Sequence, residues 1–174
     1  MNEITIRVEE PDDRAASFEV EREAFGSDEE AAIVVAVRDL DGSFALVAVD
    51  GDAVVGHVQM SRAWIGETTV LSLGPIGVLP SRQGEGIGSA LVRAALDAAA
   101  ERGESIVMLL GSPAYYGRFG FRPGSEWGLS NPYAGIDEGS FVIQEGDFQI
   151  AVAGGRAVEL SGVVRWHPSF GDVG

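Results

Sequence analysis

Leu71-Ser72-Leu73-Gly74-Pro75-Ile76-Gly77-Val78-Leu79-Pro80-Ser81-Arg82-Gln83-Gly84-Glu85-Gly86-Ile87-Gly88 decides how the rest of the chain is read. Its first half is an apolar run that stops at Pro80, and its second half is a glycine-rich turn. The turn opens directly into Ser89-Ala90-Leu91-Val92-Arg93-Ala94-Ala95-Leu96, whose apolar residues recur at helical spacing. Strand, glycine loop and helix N-terminus in that order make a place for a phosphate group. The first amides of a helix have no intrahelical partner, and the macrodipole puts partial positive charge there. Glycines at 84, 86 and 88 remove the side chains that would hold an anion off the backbone. A plain strand-to-helix connection is the alternative reading of such a loop taken alone. Two common phosphate loops do not fit. A Walker loop requires a lysine, and the chain contains none. A dinucleotide fingerprint requires Gly-x-Gly-x-x-Gly and an acid near the end of the next strand. Here the spacing is Gly-x-Gly-x-Gly, and the next apolar run, Ser105 to Leu110, ends in Gly111-Ser112.

Gln83-x-x-Gly86-x-Gly88, following a strand that ends in Val78-x-Pro80, resembles the pyrophosphate loop of the GNAT superfamily, the acyl-CoA-dependent N-acyltransferases. A second motif strengthens the resemblance. Tyr116, Gly120 and Phe121 fit the Tyr-x-x-x-Gly-Phe spacing common in that superfamily. The wider string from Gly111 to Phe121 is similar to the YhbS-like bacterial branch in particular, and the resemblance runs from about Ile4 to Phe170. It implies acetyl-CoA as cosubstrate, with the diphosphate held by Arg82, Gln83, Gly84, Gly86, Ile87, Gly88 and Ser89. It also implies an α/β (mixed α+β) fold. A central, mostly antiparallel twisted sheet of about seven strands is flanked by helices, with two parallel strands splayed at the CoA site. The pantetheine arm inserts there like a missing strand, along the main chain of Ile76, Gly77 and Val78. One departure stands out: relatives often carry an asparagine seven residues before the tyrosine, and Leu109 is at that position here.

The 174 residues suit a single domain, 1–174, with apolar content ordinary for a globular chain. No apolar run reaches the length of a membrane span, and Met1-Asn2-Glu3-Ile4-Thr5 lacks the basic and apolar regions of a signal peptide. Absence of cysteine excludes disulfides, thiolate metal sites and a cysteinyl acyl-enzyme, and is consistent with a cytoplasmic location; no metal is expected. The formal charge of −15 repels nucleic acid and anionic membrane and attracts a cationic acceptor, although a solvated acidic surface explains it as well. The expected partner is therefore an amine, small molecule or peptide; a homodimer stays open. CoA is itself anionic, so the loop must concentrate positive potential locally, with Arg82, Arg118 and Arg122 as candidate helpers.

Ile4, Ile6 and Val8 alternate as in a half-buried strand, and Pro11-Asp12-Asp13 starts a helix that runs to Phe25 and ends at Gly26. Ser27-Asp28-Glu29-Glu30 caps a second helix, which ends before Asp41-Gly42. The resemblance places these helices beside the acceptor pocket. Glu19, Glu21, Glu23, Glu29 and Glu30 read as their wet faces. Asp50-Gly51-Asp52 between two apolar runs is a hairpin signal. The strand from about Thr69 to Leu79 is interrupted by Gly74, Pro75 and Gly77, a local failure of strand rules of the kind that marks a bulge or a ligand. Further strands are expected at Phe141–Ile143, Phe148–Val152 and Val163–Trp166, and a loop from Ser125 to Asp137.

Acyl transfer from a thioester needs a neutral amine, a stabilised carbonyl oxygen and a thiolate that can leave. The Val78 N–H is a candidate for the oxyanion. Tyr116 is the candidate acid for the thiolate, and Tyr115 a packing residue. His57 has the intrinsic pKa of a base, ~6.5, yet reads better as a hydrogen-bonded sheet histidine. No glutamate sits on the cofactor strand, where some relatives place a base, so deprotonation is expected to go through water. A non-catalytic acyl-CoA-binding sensor or interaction module is the alternative to an N-acetyltransferase; retention of Tyr116 favours the enzyme.

Overall fold

The computed structural model describes residues 3–139, 141–153 and 159–171. In chain order the elements are β1 (Ile4–Val8), α1 (Arg14–Phe25), α2 (Glu29–Val37), β2 (Phe44–Asp50), β3 (Ala53–Ile65), β4 (Thr68–Val78), α3 (Ile87–Glu101), β5 (Ile106–Leu110), α4 (Pro113–Tyr116), β6 (Arg122–Pro123), β7 (Phe148–Val152) and β8 (Val164–Arg165). The strands hydrogen-bond in the order β1-β2-β3-β4-β5-β7-β6, with β8 paired to β3. The fold is the mixed, mostly antiparallel α/β sheet expected, with eight strands instead of seven. The chain divides into two compact units, Met1–Ser61 with Leu73–Ala98, and Arg62–Ser72 with Ala99–Gly174.

In the first unit β1, β2 and the start of β3 form an antiparallel meander. The β2–β3 turn carries Gly51 at φ +60°, the left-handed geometry that an Asp-Gly hairpin requires. A 3-10 turn over Pro11–Asp13 leads into α1. The Asp13 carboxylate accepts from the Glu10 N–H at 2.8 Å and from both Arg7 terminal nitrogens at 2.6 and 2.9 Å. Arg7 holds that carboxyl below its usual range. Gly26, at φ +71°, ends α1. Val20, Val34, Val47, Val58, Leu91 and Val92 are among the buried core residues.

Helix α3 seats on the sheet at Gly56 of β3. A β-carbon there would stand 3.0 Å from Leu91 Cδ1 and 3.1 Å from Ile87 Cγ2, both on α3. Gly56→Val is therefore expected to lift the helix and cost about 1–3 kcal/mol, lowering Tm by roughly 5 °C in a thermal melt. An unchanged melt would mean that this contact does not hold the helix.

In the second unit β4 and β5 run parallel, and their recorded register is only Leu71↔Val107 and Ser72↔Met108. β5 pairs along its whole length with β7 on the other side, from Ile106↔Val152 to Leu110↔Phe148. Ala63, Ile65, Val70, Met108, Phe148 and Trp166 belong to its buried cluster. β4 continues through Pro75, with the Gly74–Pro75 peptide cis, so the strand is not interrupted where its sequence suggested. Phe141–Ile143 is not a strand: only a single bridge, Asp137↔Val142, forms there, and Phe141 and Val142 are exposed. The Ser125–Asp137 stretch is irregular as expected, but it delivers Leu129 and Tyr133 to the core.

Candidate functional site

The glycine loop is assembled by short-range contacts. Beyond β4, Pro80–Arg82 make one 3-10 turn, closed by the Arg82 N–H donating to the Leu79 carbonyl at 2.8 Å. Gly84 and Gly86 both stand at φ +83°, and α3 begins at Ile87. A β-carbon on either glycine would meet no atom within 4 Å, so glycine is needed there for backbone conformation and not for crowding. Ile87, Gly88 and Ser89 occupy the first turn of α3.

The Gln83 side chain donates to the Val78 carbonyl at 3.1 Å and ties the loop to the end of β4. The Leu79 N–H donates to the Val55 carbonyl at 2.9 Å. Arg82 donates from Nε to Glu85 and from Nη1 to Asp50, each at 2.8 Å, and these pairs raise its pKa. Its charge is thus balanced by two carboxylates, and attraction for an anion falls on the loop amides and the helix dipole. The other candidate cations are also engaged. Arg118 donates to the Tyr115 carbonyl and lies 4.7 Å over the Tyr115 ring, and Arg122 pairs with Glu126 at 2.7 Å.

Sequence reasoning missed a buried acid–imidazole cluster in the first unit. Glu21, expected on a wet helix face, is fully buried, with Oε1 2.6 Å from His57 Nδ1. Glu9 Oε1 stands 3.6 Å from His57 Nε2, too far for a good hydrogen bond. Among the described residues, Glu9 Oε1, Glu21 Oε2 and His57 Nε2 find no hydrogen-bond partner. Burial pushes the Glu21 carboxyl above its usual range, a rise that the His57 hydrogen bond partly offsets and nearby Glu30 augments. The signal was in the helix period: Ser17, Val20, Glu21 and Ala24 share one face, and Ser17, Val20 and Glu21 are buried. Glu21 also touches β4. Its Oε2 would lie 2.7 Å from a β-carbon at Gly77, and Ala24 Cβ would lie 3.0 Å away. Gly77 is therefore where α1 presses on β4.

In the second unit Ser112 opens α4, accepting from the Tyr115 and Tyr116 N–H groups at 3.1 and 3.0 Å. The Tyr116 ring packs edge-on to Tyr115 and Phe121, at centroid distances of 4.9 and 5.9 Å. It also lies against Gly111, where any β-carbon would overlap the ring. Gly111 is pinned twice by the neighbouring strand region. Its N–H donates to the Asp147 carbonyl at 2.9 Å, and its carbonyl accepts from Gln149 Nε2 at 2.7 Å. Burial pushes the Tyr116 hydroxyl up to about 12, with a smaller push from Tyr115. That hydroxyl keeps its proton at any working pH. Leu109, at the position of the missing asparagine, is buried in β5.

Residues 9–121 match the acetyltransferase (GNAT) family. The chain is 32% identical to the uncharacterized N-acetyltransferase YhbS of Escherichia coli (strain K12), over 95% of this chain and 97% of that protein. Among solved structures, YhbS from Escherichia coli in complex with CoA superposes at a TM-score of 0.81, with 30% identity, covering 100% of this chain and 95% of that one. A GNAT family acetyltransferase from Brucella melitensis in complex with acetyl-CoA superposes at 0.75, also with 30% identity, covering 98% of this chain and 99% of that one.

Proposed function

Because the chain belongs to the acetyltransferase (GNAT) family, we propose that it moves the acetyl group of acetyl-CoA directly to a primary amine, with no covalent enzyme intermediate. The observation that carries this reading is the loop 83–88, whose two left-handed glycines turn the chain into the N-terminus of α3. Gln83, Gly84, Gly86, Ile87, Gly88 and Ser89 would hold the diphosphate through main-chain N–H groups. Arg82 would exchange one of its two carboxylates for a phosphate oxygen. The main chain of Ile76, Gly77 and Val78 would run beside the pantetheine arm.

The acceptor ammonium first gives one proton to water and becomes nucleophilic. Its nitrogen attacks the thioester carbonyl, and the oxygen gathers negative charge that the Val78 N–H stabilises. The C–S bond then breaks, the nitrogen loses its second proton, and the sulfur ends as a thiol. Tyr116 stands as the donor to the leaving sulfur. At a pKa of about 12 the hydroxyl is a weaker acid than a thiol, so full transfer of its proton to the leaving thiolate is uphill. A strong hydrogen bond from Oη to the sulfur serves the same end at lower cost. His57 and Glu21 are fully buried, which suits a role in bracing α1 and β3 and not an encounter with the amine.

Calorimetric titration with CoA and with pantetheine tests the loop. CoA is expected to bind at least about 100-fold more tightly, because charge-assisted hydrogen bonds to phosphate contribute roughly 1.5–3 kcal/mol each. Equal affinity for the two, or no binding of either, would sink the reading.

A further inference from the structure

A cavity of about 380 Å³ opens at the C-terminal end of β5, lined by the Leu110–Ser112 corner and by Glu138, Phe141, Ile143 and Asp147. This volume is within the range of small-molecule sites, ~300–1,000 Å³. Its walls are largely apolar. Phe141 is 58% exposed, a large ring left mostly in solvent on a segment that forms no strand. The two charged residues among those that line it, Glu138 and Asp147, are both acidic. The Asp147 carboxylate is oriented by the Gln144 N–H, which donates to Oδ2 at 2.8 Å. The cavity also abuts the proposed chemistry: Gly111, part of its lining, carries the Tyr116 ring against its Cα.

We propose that this cavity receives the acceptor, and that the acceptor is a protonated primary amine carried on an apolar, aromatic body. This inference rests on the acetyl-transfer reading above. An apolar wall alone would admit any hydrophobic molecule; the carboxylates select a cation. A polyamine or aminoglycoside would satisfy the carboxylates and leave Phe141 and Ile143 uncovered. An arylalkylamine covers the ring and presents its ammonium to Glu138 and Asp147. Glu138 is exposed, so the proton shed before attack has a route to solvent. The charge of −15 draws such a cation toward the whole molecule.

The test compares 2-phenylethylamine with spermidine in a thiol-release assay with acetyl-CoA. Amine binding is followed in parallel by saturation-transfer NMR on the wild type, Phe141→Ala and Glu138→Gln. Both substitutions are at exposed positions, and the fold should survive them. The expected kcat/KM for 2-phenylethylamine exceeds that for spermidine by at least about tenfold. Phe141→Ala should raise the amine KM about fivefold and Glu138→Gln about twofold, with the acetyl-CoA KM unmoved. Preference for spermidine, or an amine KM indifferent to both substitutions, overturns the proposal while acetyl transfer stands. Binding of 2-phenylethylamine that depends on Phe141, without thiol release from any amine, upholds the cavity and overturns the transfer reading. Failure of 2-phenylethylamine to bind overturns the proposal whatever the turnover.

Discussion

Replacing Tyr116 with phenylalanine is expected to lower kcat by roughly 30- to 100-fold and to leave acetyl-CoA affinity within about twofold. The ring contacts with Tyr115, Phe121 and Gly111 survive the change, so the local fold has no reason to move. What is lost is one hydroxyl, and with it a hydrogen bond that matters only once the sulfur becomes negative. An interaction made in the transition state and absent from the ground state affects kcat and not binding. The raised pKa sharpens the expectation, because a hydroxyl at about 12 remains a donor throughout the neutral range. The variant's pH–rate profile should therefore keep the shape of the wild type and shift only in height. Unchanged turnover would remove Tyr116 from the chemistry.

His57→Ala is expected to destabilise the fold by about 3–5 kcal/mol, lowering Tm by roughly 10 °C. The imidazole is the hydrogen-bond partner of Glu21 Oε1, and without it two carboxylates remain buried on the inner side of α1 and the end of β1. Glu21→Gln separates charge from shape. Burial raises the Glu21 pKa above its unfolded value of ~4.3, so its contribution to stability is complete below that pH. The contribution is lost as pH rises through the native value. The glutamine variant does not titrate, so wild-type stability minus variant stability should fall as pH climbs from about 4 and then level off. Urea midpoints across about pH 4 to 8 would show it. A difference that stays flat would mean that the carboxyl does not ionise from a buried position.

Legibility in the sequence followed chain distance. The loop 83–88 is built by neighbours in the sequence, so Gly84, Gly86 and the apolar period of α3 announced it. The meander, the Asp50-Gly51-Asp52 turn and the end of α1 at Gly26 were visible for the same reason. The Glu9–His57–Glu21 cluster joins the end of β1 to the interiors of β3 and α1, and a lone glutamate on an amphipathic helix resembles a solvated one until its neighbours are known. Its face, shared with Ser17 and Val20, was the available sign. Tyr133 and Leu129 lie in an irregular stretch whose backbone has no period to read, although two such large apolar residues seldom stay in water. Phe141–Ile143 failed in the opposite direction: three residues of strand composition found no partner strand. The second wall of the cavity could not be foreseen, since it brings Glu138, Phe141, Ile143 and Asp147 back onto the end of β5.

The seat of α3 on Gly56 bears on how a nucleotide tail would be caught. On the proposed reading, a helix docked that closely would have its amides arranged during folding and not at the moment of capture. Recognition there would then be a matter of fitting a mould already set.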